Sequence, residues 1–456
     1  MASSTLEIPR PIKSNSAVSS LWAKHFAGGF GSTLLAQIVV LGLGTFTGIA
    51  AARLLGPQGR GELAALILWP SVLVMLFSLG INQAIVFHTG QNHQGISEVG
   101  TAAALIGLAQ SLAVVLVGLL VIPLALHRYS PEVRHWAVIF LFSAPFLMFS
   151  GYPANLLQGK LDFRSFNAIR TIAPLCYALG LAILLVTRVA PGFSPAPLSS
   201  AVLKGGATFP QVLPAVVSFQ ILGYVLALAG GCWILWRKVA LRFSLQKQVV
   251  KSLLSFGWKT QVASVTSYIN QRVDQLLLSL LVSPRELGLY VVAVTVSLAL
   301  GFLPQASAIV TLAAGSNLPR ADARAVIAHS FRTSLVWLVA GCTALFVVAP
   351  GLITLVFGPG FAASGLACRI LLPGSIALGL NQVLYEGARS MNDPALPSYS
   401  EGVAAVLTCV GLYLLLPRFG FLGAAIASTA AYTSSLAFTL ALYRWRLRVP
   451  LRELLG

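Results

Sequence analysis

The sequence predicts an all-α membrane protein of about twelve transmembrane helices, arranged as two six-helix lobes. Three observations carry this expectation. Apolar runs of spanning length recur along the chain, basic residues gather between them, and the second half repeats landmarks of the first. Of 456 residues, 57% are hydrophobic, yet 30 are Lys or Arg against only 12 Asp or Glu. A soluble core cannot absorb so much apolar sequence, whereas a bilayer takes about 20 apolar residues per crossing. Spans of a β-barrel would alternate apolar and polar residues over about ten positions, and these runs do not.

The runs lie near 30–52, 63–88, 99–126, 136–157, 169–190, 213–236, 257–283, 288–313, 330–357, 364–384, 397–417 and 421–443. Several contain proline (Pro123, Pro145, Pro174, Pro304 and Pro373). In a membrane this is tolerated, because neighbouring helices and side chains satisfy the freed backbone groups. Trp22, Trp136, Trp233, Trp236, Trp258 and Trp445 fall near span ends, as interfacial anchors do. The cysteines (Cys176, Cys232, Cys342, Cys368 and Cys409) have no metal-ligand spacing and read as small packing residues. Residues 1–25 are polar and loosely basic and lack a small-residue cleavage site, so no removed signal peptide is expected.

Charge orients the chain. With the N-terminus inside, alternate connections place 20 basic residues on the inner side, Lys238, Arg242, Lys247 and Lys251 among them, and 9 on the outer side. The positive-inside rule then puts both termini in the cytoplasm. The charge excess is therefore accounted for by topology and by contact with anionic membrane lipids. Nucleic-acid binding would need a basic soluble domain, and no gap between spans can hold one.

The halves repeat at a nearly constant spacing. Phe30-Gly31 matches Phe256-Gly257 at an offset of 226, Gly61 matches Gly288 at 227, and Pro145 and Gly159 match Pro373 and Gly387 at 228. Tyr224 matches Tyr432 at 208, a drop explained by a longer loop at 191–212. Six spans per half is an even number, so the halves should be parallel repeats about an axis along the membrane normal, with a substrate path between them. The organisation expected is a tail at 1–25, an N-lobe at 26–236, a cytoplasmic linker at 237–256, a C-lobe at 257–443 and a basic tail at 444–456. The linker alternates charges with Val239, Leu241, Phe243 and Leu245, and reads as an amphipathic helix lying on the cytoplasmic face.

The stretch from Ala52 to Ala64 (ARLLGPQGRGELA) resembles the first-loop signature of the polysaccharide-biosynthesis flippases, and so does its repeat at Val273–Leu278 and Arg285–Tyr290. Arg369–Gly374, Glu386–Arg389 and Gly420–Ser428 are similar to that family's C-terminal half. The resemblance covers about residues 20–445. It implies membership of the multidrug/oligosaccharidyl-lipid/polysaccharide transporter superfamily, with two lobes set as a V around a central cavity. It also implies a bacterial inner-membrane flippase that moves a polyprenyl-diphosphate-linked oligosaccharide by alternating access, for assembly of a surface polysaccharide such as O-antigen or exopolysaccharide. A polysaccharide polymerase is the implied protein partner. No cofactor is expected beyond a coupling ion of unknown identity. Lipid II flippases carry two additional helices that this chain has no room for. Cation-coupled drug exporters often place an acidic residue in the first span, and residues 30–52 hold none.

The seventh span is the polar one. At 100° per residue, Thr260, Ser264, Ser267, Gln271 and Asp274 share an arc of about 80°. Asn270 extends it on one side, and Gln275, Tyr268, Gln261 and Arg272 on the other. Lipid would not tolerate such a face, so it must meet other helices or water. Arg272 is expected to attract a diphosphate, and Asp274 to tune it or bind a coupling ion. The competing structural reading is an interhelical salt bridge. Asn82, Gln83, Asn381 and Gln382 are further candidates for sugar contacts, with interhelical hydrogen bonding as the alternative. Glu386 and Arg389 read as a local ion pair. Arg53 and Arg60 read as topology or headgroup contacts flanking the first outer turn. No outer loop carries the acidic groups of a glycosyltransferase or polymerase, so an enzyme is not expected. Two other functions stay open: a drug exporter on the same fold, which would need carboxylates in its cavity, and a non-transporting scaffold, which would have a sealed apolar face between lobes.

Overall fold

The computed structural model describes residues 16–90, 95–189, 209–239, 242–315 and 319–455, and among these the chain is helical with no strand. Helix α1 (Ser16–Phe77) makes the first two crossings around a bend at Gly56. That residue sits at φ 66°, a left-handed conformation that costs glycine nothing. The second span continues into α2 (Ile81–Gly90), and α3 (Ile96–Ala125) is the third. The fourth is α4 (Pro131–Leu141) followed by α5 (Ala144–Gly159), the fifth α6 (Phe163–Val189) and the sixth α7 (Phe209–Lys238).

The second half starts with α8 (Lys247–Leu281) as seventh span, then α9 (Pro284–Ser297) and α10 (Phe302–Gly315) as the eighth. Helices α11 (Arg320–Phe357) and α12 (Ser364–Ser390) are the ninth and tenth. Helix α13 (Leu396–Trp445) holds the last two spans, bent at Gly420 with φ 55°, and α14 (Leu451–Leu455) is a short tail helix. Nine helical stretches among the described residues are long and apolar enough to cross a bilayer. Those of α1 and α13 each cross twice, and α8 falls outside the nine because its polar residues dilute its hydropathy. Ser16 and Leu455, where the described helices begin and end, therefore lie on one side, called the terminal face; the opposite one is the distal face.

Start signals act where the sequence puts them. Ser283 caps α9 by accepting from Glu286 N at 3.3 Å, while the Glu286 carboxylate accepts from Ser283 N at 3.2 Å, with Pro284 in the first turn. Ser130 caps α4 in the same way, accepting from Val133 N, again with proline next.

The linker differs from the surface helix expected over 237–256. Helix α7 runs to Lys238, residues 242–246 form no helix, and 247–256 already belong to α8. The cause is packing: Val249 and Leu253, one turn apart, are buried against Ile81, Ile85 and Val99 of the N-lobe instead of facing lipid.

The repeat is visible in the turns. Leu161 and Asn392 both take positive φ (61° and 66°), and the next residue in each case donates its N–H back to a helix carbonyl. Those bonds are Asp162 N to Leu157 O and Asp393 N to Ala388 O, each 2.9 Å. Each aspartate then pairs with the final turn of its lobe, Asp162 with Lys238 at 2.5 Å and Asp393 with Arg446 at 3.0 Å. The apolar core has three parts. One cluster combines both lobes toward the distal face, including Leu63, Leu66, Tyr290, Val292 and Leu372. Two separate clusters, one mainly around Ile85 and Leu157 and the other around Leu384 and Tyr443, lie toward the terminal face. The lobes thus share one core at the distal end and part below it, a V.

Candidate functional site: the interlobe cavity

The distal seam is built from backbone. A side chain on Gly61 would meet Pro284 O at 1.7 Å, and one on Gly288 would meet Pro57 O at 1.9 Å. The contact is reciprocal between repeat-related residues, as required where a two-fold axis passes. Polar bonds reinforce it. Arg53 donates to Val356 O and Leu355 O, both at 2.6 Å, at the C-terminal end of α11. Arg128 donates to Leu280 O and Leu281 O, both at 3.3 Å, at the end of α8. Tyr129 donates its hydroxyl to Ser279 O at 3.1 Å, and Trp69 Nε1 donates to Ser279 Oγ at 3.2 Å. On the terminal side α8 is held to one flank of the N-lobe. Gln261 Nε2 donates to Met75 O at 2.6 Å, and Phe256 stacks on Phe87 at 4.2 Å. The other flank is different: Gly42, Gly44 and Gly48 of the first span have nothing within 4 Å of where a side chain would project.

Two cavities meet at α8 beneath this seam. The larger, about 260 Å³, is lined by Arg60, Tyr177, Gln220, Tyr268, Arg272 and Gln275, among others. No carboxylate is among its lining residues. Arg272 donates from Nη1 to Gln275 Oε1 at 3.1 Å and is otherwise exposed to the cavity. The Arg60 Nε is buried with no hydrogen-bond partner. Two guanidinium groups facing one space whose lining holds no acid, one of them with a buried Nε, leave positive charge that an anion would neutralise. The planar fork of arginine suits phosphate in particular.

The smaller cavity, about 120 Å³, lies within the C-lobe. Arg272 and Gln275 line it too, together with Gln271, Asp274, Tyr290, Ser428 and Tyr432. Asp274 is only 4% exposed. Its Oδ2 accepts from the Tyr290 hydroxyl at 2.5 Å and its Oδ1 from Gln275 N at 2.7 Å. The Tyr290 hydroxyl also lies 3.2 Å from Ser428 Oγ.

Of the residues expected from sequence, Arg272, Asp274, Gln271 and Gln275 come together here. The side chains of Ser264, Ser267 and Asn270 lie outside the described residues. Asn82 accepts from Asn155 Nδ2 at 2.8 Å, and Asn381 Nδ2 donates to Ser435 Oγ at 3.3 Å. Neither these nor Gln83 and Gln382 line either cavity. Arg389 pairs with Glu386. Arg53 and Arg60 depart from the expected headgroup role, since Arg53 caps a helix of the other lobe and Arg60 faces the larger cavity. The reason is that α1 resumes its helix directly after Gly56, so Arg60 stands a turn inside the second span. Pro57 was the available signal, because proline favours a helix's first turn.

The fold and site define a two-lobed membrane transporter with a cationic central cavity. The polysaccharide biosynthesis protein family matches residues 26–313, and the chain belongs to that family. A probable low-salt glycan biosynthesis flippase of Haloferax volcanii is 22% identical over 230 residues, covering 48% of this chain and 46% of that protein. The alignment thus spans about half of each. Among solved structures, lipid II flippase MurJ in an inward closed conformation aligns with TM-score 0.72 and 16% identity, over 93% of this chain and 88% of its own. An inward-facing multidrug resistance MATE family transporter aligns with TM-score 0.70 and 13% identity, over 90% and 94%. A transporter of the same superfamily from Pyrococcus furiosus aligns at 0.62 and 13%, over 92% and 95%. At such identities the likeness is one of fold. These relatives are flippases and transporters by name.

Proposed function

We propose that the chain is a flippase that carries a polyprenyl-diphosphate-linked oligosaccharide across a bacterial inner membrane by alternating access, for assembly of a surface polysaccharide. The observation that carries this reading is the pairing of Arg60 and Arg272 in a cavity with no carboxylate in its lining, where Arg60 Nε has no protein partner. A diphosphate supplies the charge and the acceptors the two guanidiniums lack. The family and the glycan flippase relative agree with this cargo class. A drug exporter is less well supported, because a cation entering the larger cavity would meet two arginines. A scaffold is less well supported because the lobes part around a polar cavity.

In this reading the terminal face is cytoplasmic, as the basic connections favour, so the V receives cargo from the cytoplasmic leaflet and the distal seam must open to release it. Arg242, Lys247 and Lys251 lie at that face beside Phe243, whose side chain is 87% exposed, a combination suited to anionic lipid headgroups. A polymerase would receive the cargo on the far side.

The test is complementation of a strain lacking its own flippase, with protein levels in the membrane measured in parallel. Removing one member of a desolvated charged pair costs about 2–5 kcal/mol. Arg272→Ala and Arg60→Ala should each therefore lower transport by roughly 30-fold or more. Arg272→Lys should retain part of it, since lysine binds phosphate as a point charge but loses the fork. Full transport by both alanine variants would refute the reading. Loss of the protein from the membrane would assign the arginines a structural role instead.

A further inference from the structure

We infer that the smaller cavity is a sugar subsite, which takes the first ring of the cargo while the arginine pair of the larger cavity holds the diphosphate. This deepens the flippase reading above and rests on it. The first argument is chemical. The lining offers donors and acceptors in mixture: the Asp274 carboxylate, the Tyr432 hydroxyl and the Gln271 amide, with the buried Tyr290 and Ser428 hydroxyls behind them. A carboxylate has about four acceptor positions, and the two bonds Asp274 receives leave acceptor capacity on each oxygen. A hydroxyl-rich ring needs such a lining, and its C–H face can lie on a tyrosine ring.

The second argument is connectivity. Arg272 and Gln275 line both cavities, so a group in the smaller one adjoins a phosphate bound in the larger. The first sugar of such a cargo is bonded directly to the diphosphate, so the two groups call for adjoining cavities. The third is size. At about 120 Å³ against about 260 Å³, the smaller cavity takes no more than one ring. A resident metal cation is disfavoured, because the Arg272 guanidinium faces the same cavity. The N-lobe has no counterpart: at the offset of 226 that holds for the first and seventh spans Asp274 corresponds to Gly48, and at the 227 of the second and eighth spans Tyr290 corresponds to Leu63. The cargo therefore has a single polarity in the site.

The experiment uses the full chain in lipid nanodiscs and two probes, a short-chain polyprenyl diphosphate and the same lipid bearing one hexose. Two or three added hydrogen bonds should make the glycosylated probe bind about tenfold tighter, or about 1.4 kcal/mol, by calorimetry. In Tyr432→Phe, which keeps the ring, that ratio should fall toward one, with thermal unfolding reporting that the variant is folded.

Equal affinity of the wild-type chain for both probes overturns the subsite and leaves the diphosphate reading standing. A tenfold ratio preserved in the folded Tyr432→Phe variant also overturns it. Failure to bind either probe removes the flippase reading and the subsite with it. Stabilisation of the lipid-free protein by sodium over choline, lost in Asp274→Asn while the sugar ratio persists, would assign the cavity to a cation instead.

Discussion

The first and seventh spans hold equivalent places in the two lobes, and they are opposites. The first presents Gly42, Gly44 and Gly48 with nothing within 4 Å, and Gly48 stands where the repeat would put an acid. The seventh presents Gln271, Arg272, Asp274 and Gln275 to two cavities. The N-lobe's charge comes from Arg60 on the second span, whose counterpart at an offset of 227 is the fully buried Leu287. The arginines facing the larger cavity are therefore not repeat mates. Symmetry persists where the chain must turn, cap and pack; it is broken where the cargo would sit. An asymmetric cargo with a charged end and a neutral end gains nothing from two identical half-sites.

The largest effect should come from breaking the symmetric part. Gly61 and Gly288 let two helices touch backbone to backbone across the axis. An added Cβ lies 1.7 Å from Pro284 O in one case and 1.9 Å from Pro57 O in the other. Neither carbonyl can yield without moving its helix, so Gly61→Ala and Gly288→Ala should each cost about 3 kcal/mol or more, beyond ordinary overpacking. Thermal unfolding of purified protein measures this. Gly44→Ala, with open space around it, should be neutral or slightly stabilising, because alanine is the better helix former. The costs at 61 and 288 should be alike. One benign substitution of the two would show that the contact is not reciprocal.

Those glycines were legible in the sequence as repeat mates, and so were the spans, because length and apolarity are local properties. The polar arc on the seventh span was legible for the same reason: a charge in a bilayer needs a partner or water. The residues that sequence reasoning missed are those whose role depends on a bend or on a partner distant in the chain. Arg60 looks like an outer-turn residue until the bend at Gly56 places it inside a span. Tyr290 looks like part of an apolar stretch until its hydroxyl meets Asp274 sixteen residues away. Asn82 and Asn381 looked like cavity amides but are engaged within their own lobes, by Asn155 and Ser435. Composition cannot tell an amide that faces a cavity from one that holds two helices together.

A smaller effect is expected from the polar clasp over the same seam. Arg53 and Arg128, both from the N-lobe, cap the carbonyl ends of α11 and α8 in the C-lobe. Helix C-termini carry unsatisfied carbonyls and partial negative charge, so each guanidinium there is favourable only while the seam is shut. At about 1 kcal/mol apiece for exposed sites, the double variant Arg53→Ala with Arg128→Ala should raise the distal-open population roughly 30-fold. A cysteine replacing Ser71, which lines the larger cavity, reports this in a cysteine-free background. Its reaction with an impermeant thiol reagent from the distal side should speed up accordingly. An unchanged rate would mean that the glycine contact alone holds the seam.

The smallest effect should be found where the lobes agree most closely, at the paired turns on the terminal face. Burial alone would push the Asp162 carboxyl up, but its bonds to Lys238 and to Ser165 outweigh this and hold it below its ordinary value of 3.8. A carboxylate so depressed stabilises the fold at neutral pH, and that contribution fades as pH falls below 3.8 through the lowered value. The pair is partly exposed, with the Lys238 side chain 48% accessible, so Asp162→Asn should cost no more than about 1 kcal/mol at pH 7. At acid pH, where both forms are uncharged, the variant and the wild type should converge. Asp393 is the more enclosed partner, at 12% accessibility, and Arg446 also lies over the Tyr399 ring at 5.4 Å. Asp393→Asn should therefore cost more than Asp162→Asn in the same unfolding assay at pH 7. The reverse order would mean that the two turns, alike in backbone, are loaded differently from what their burial implies.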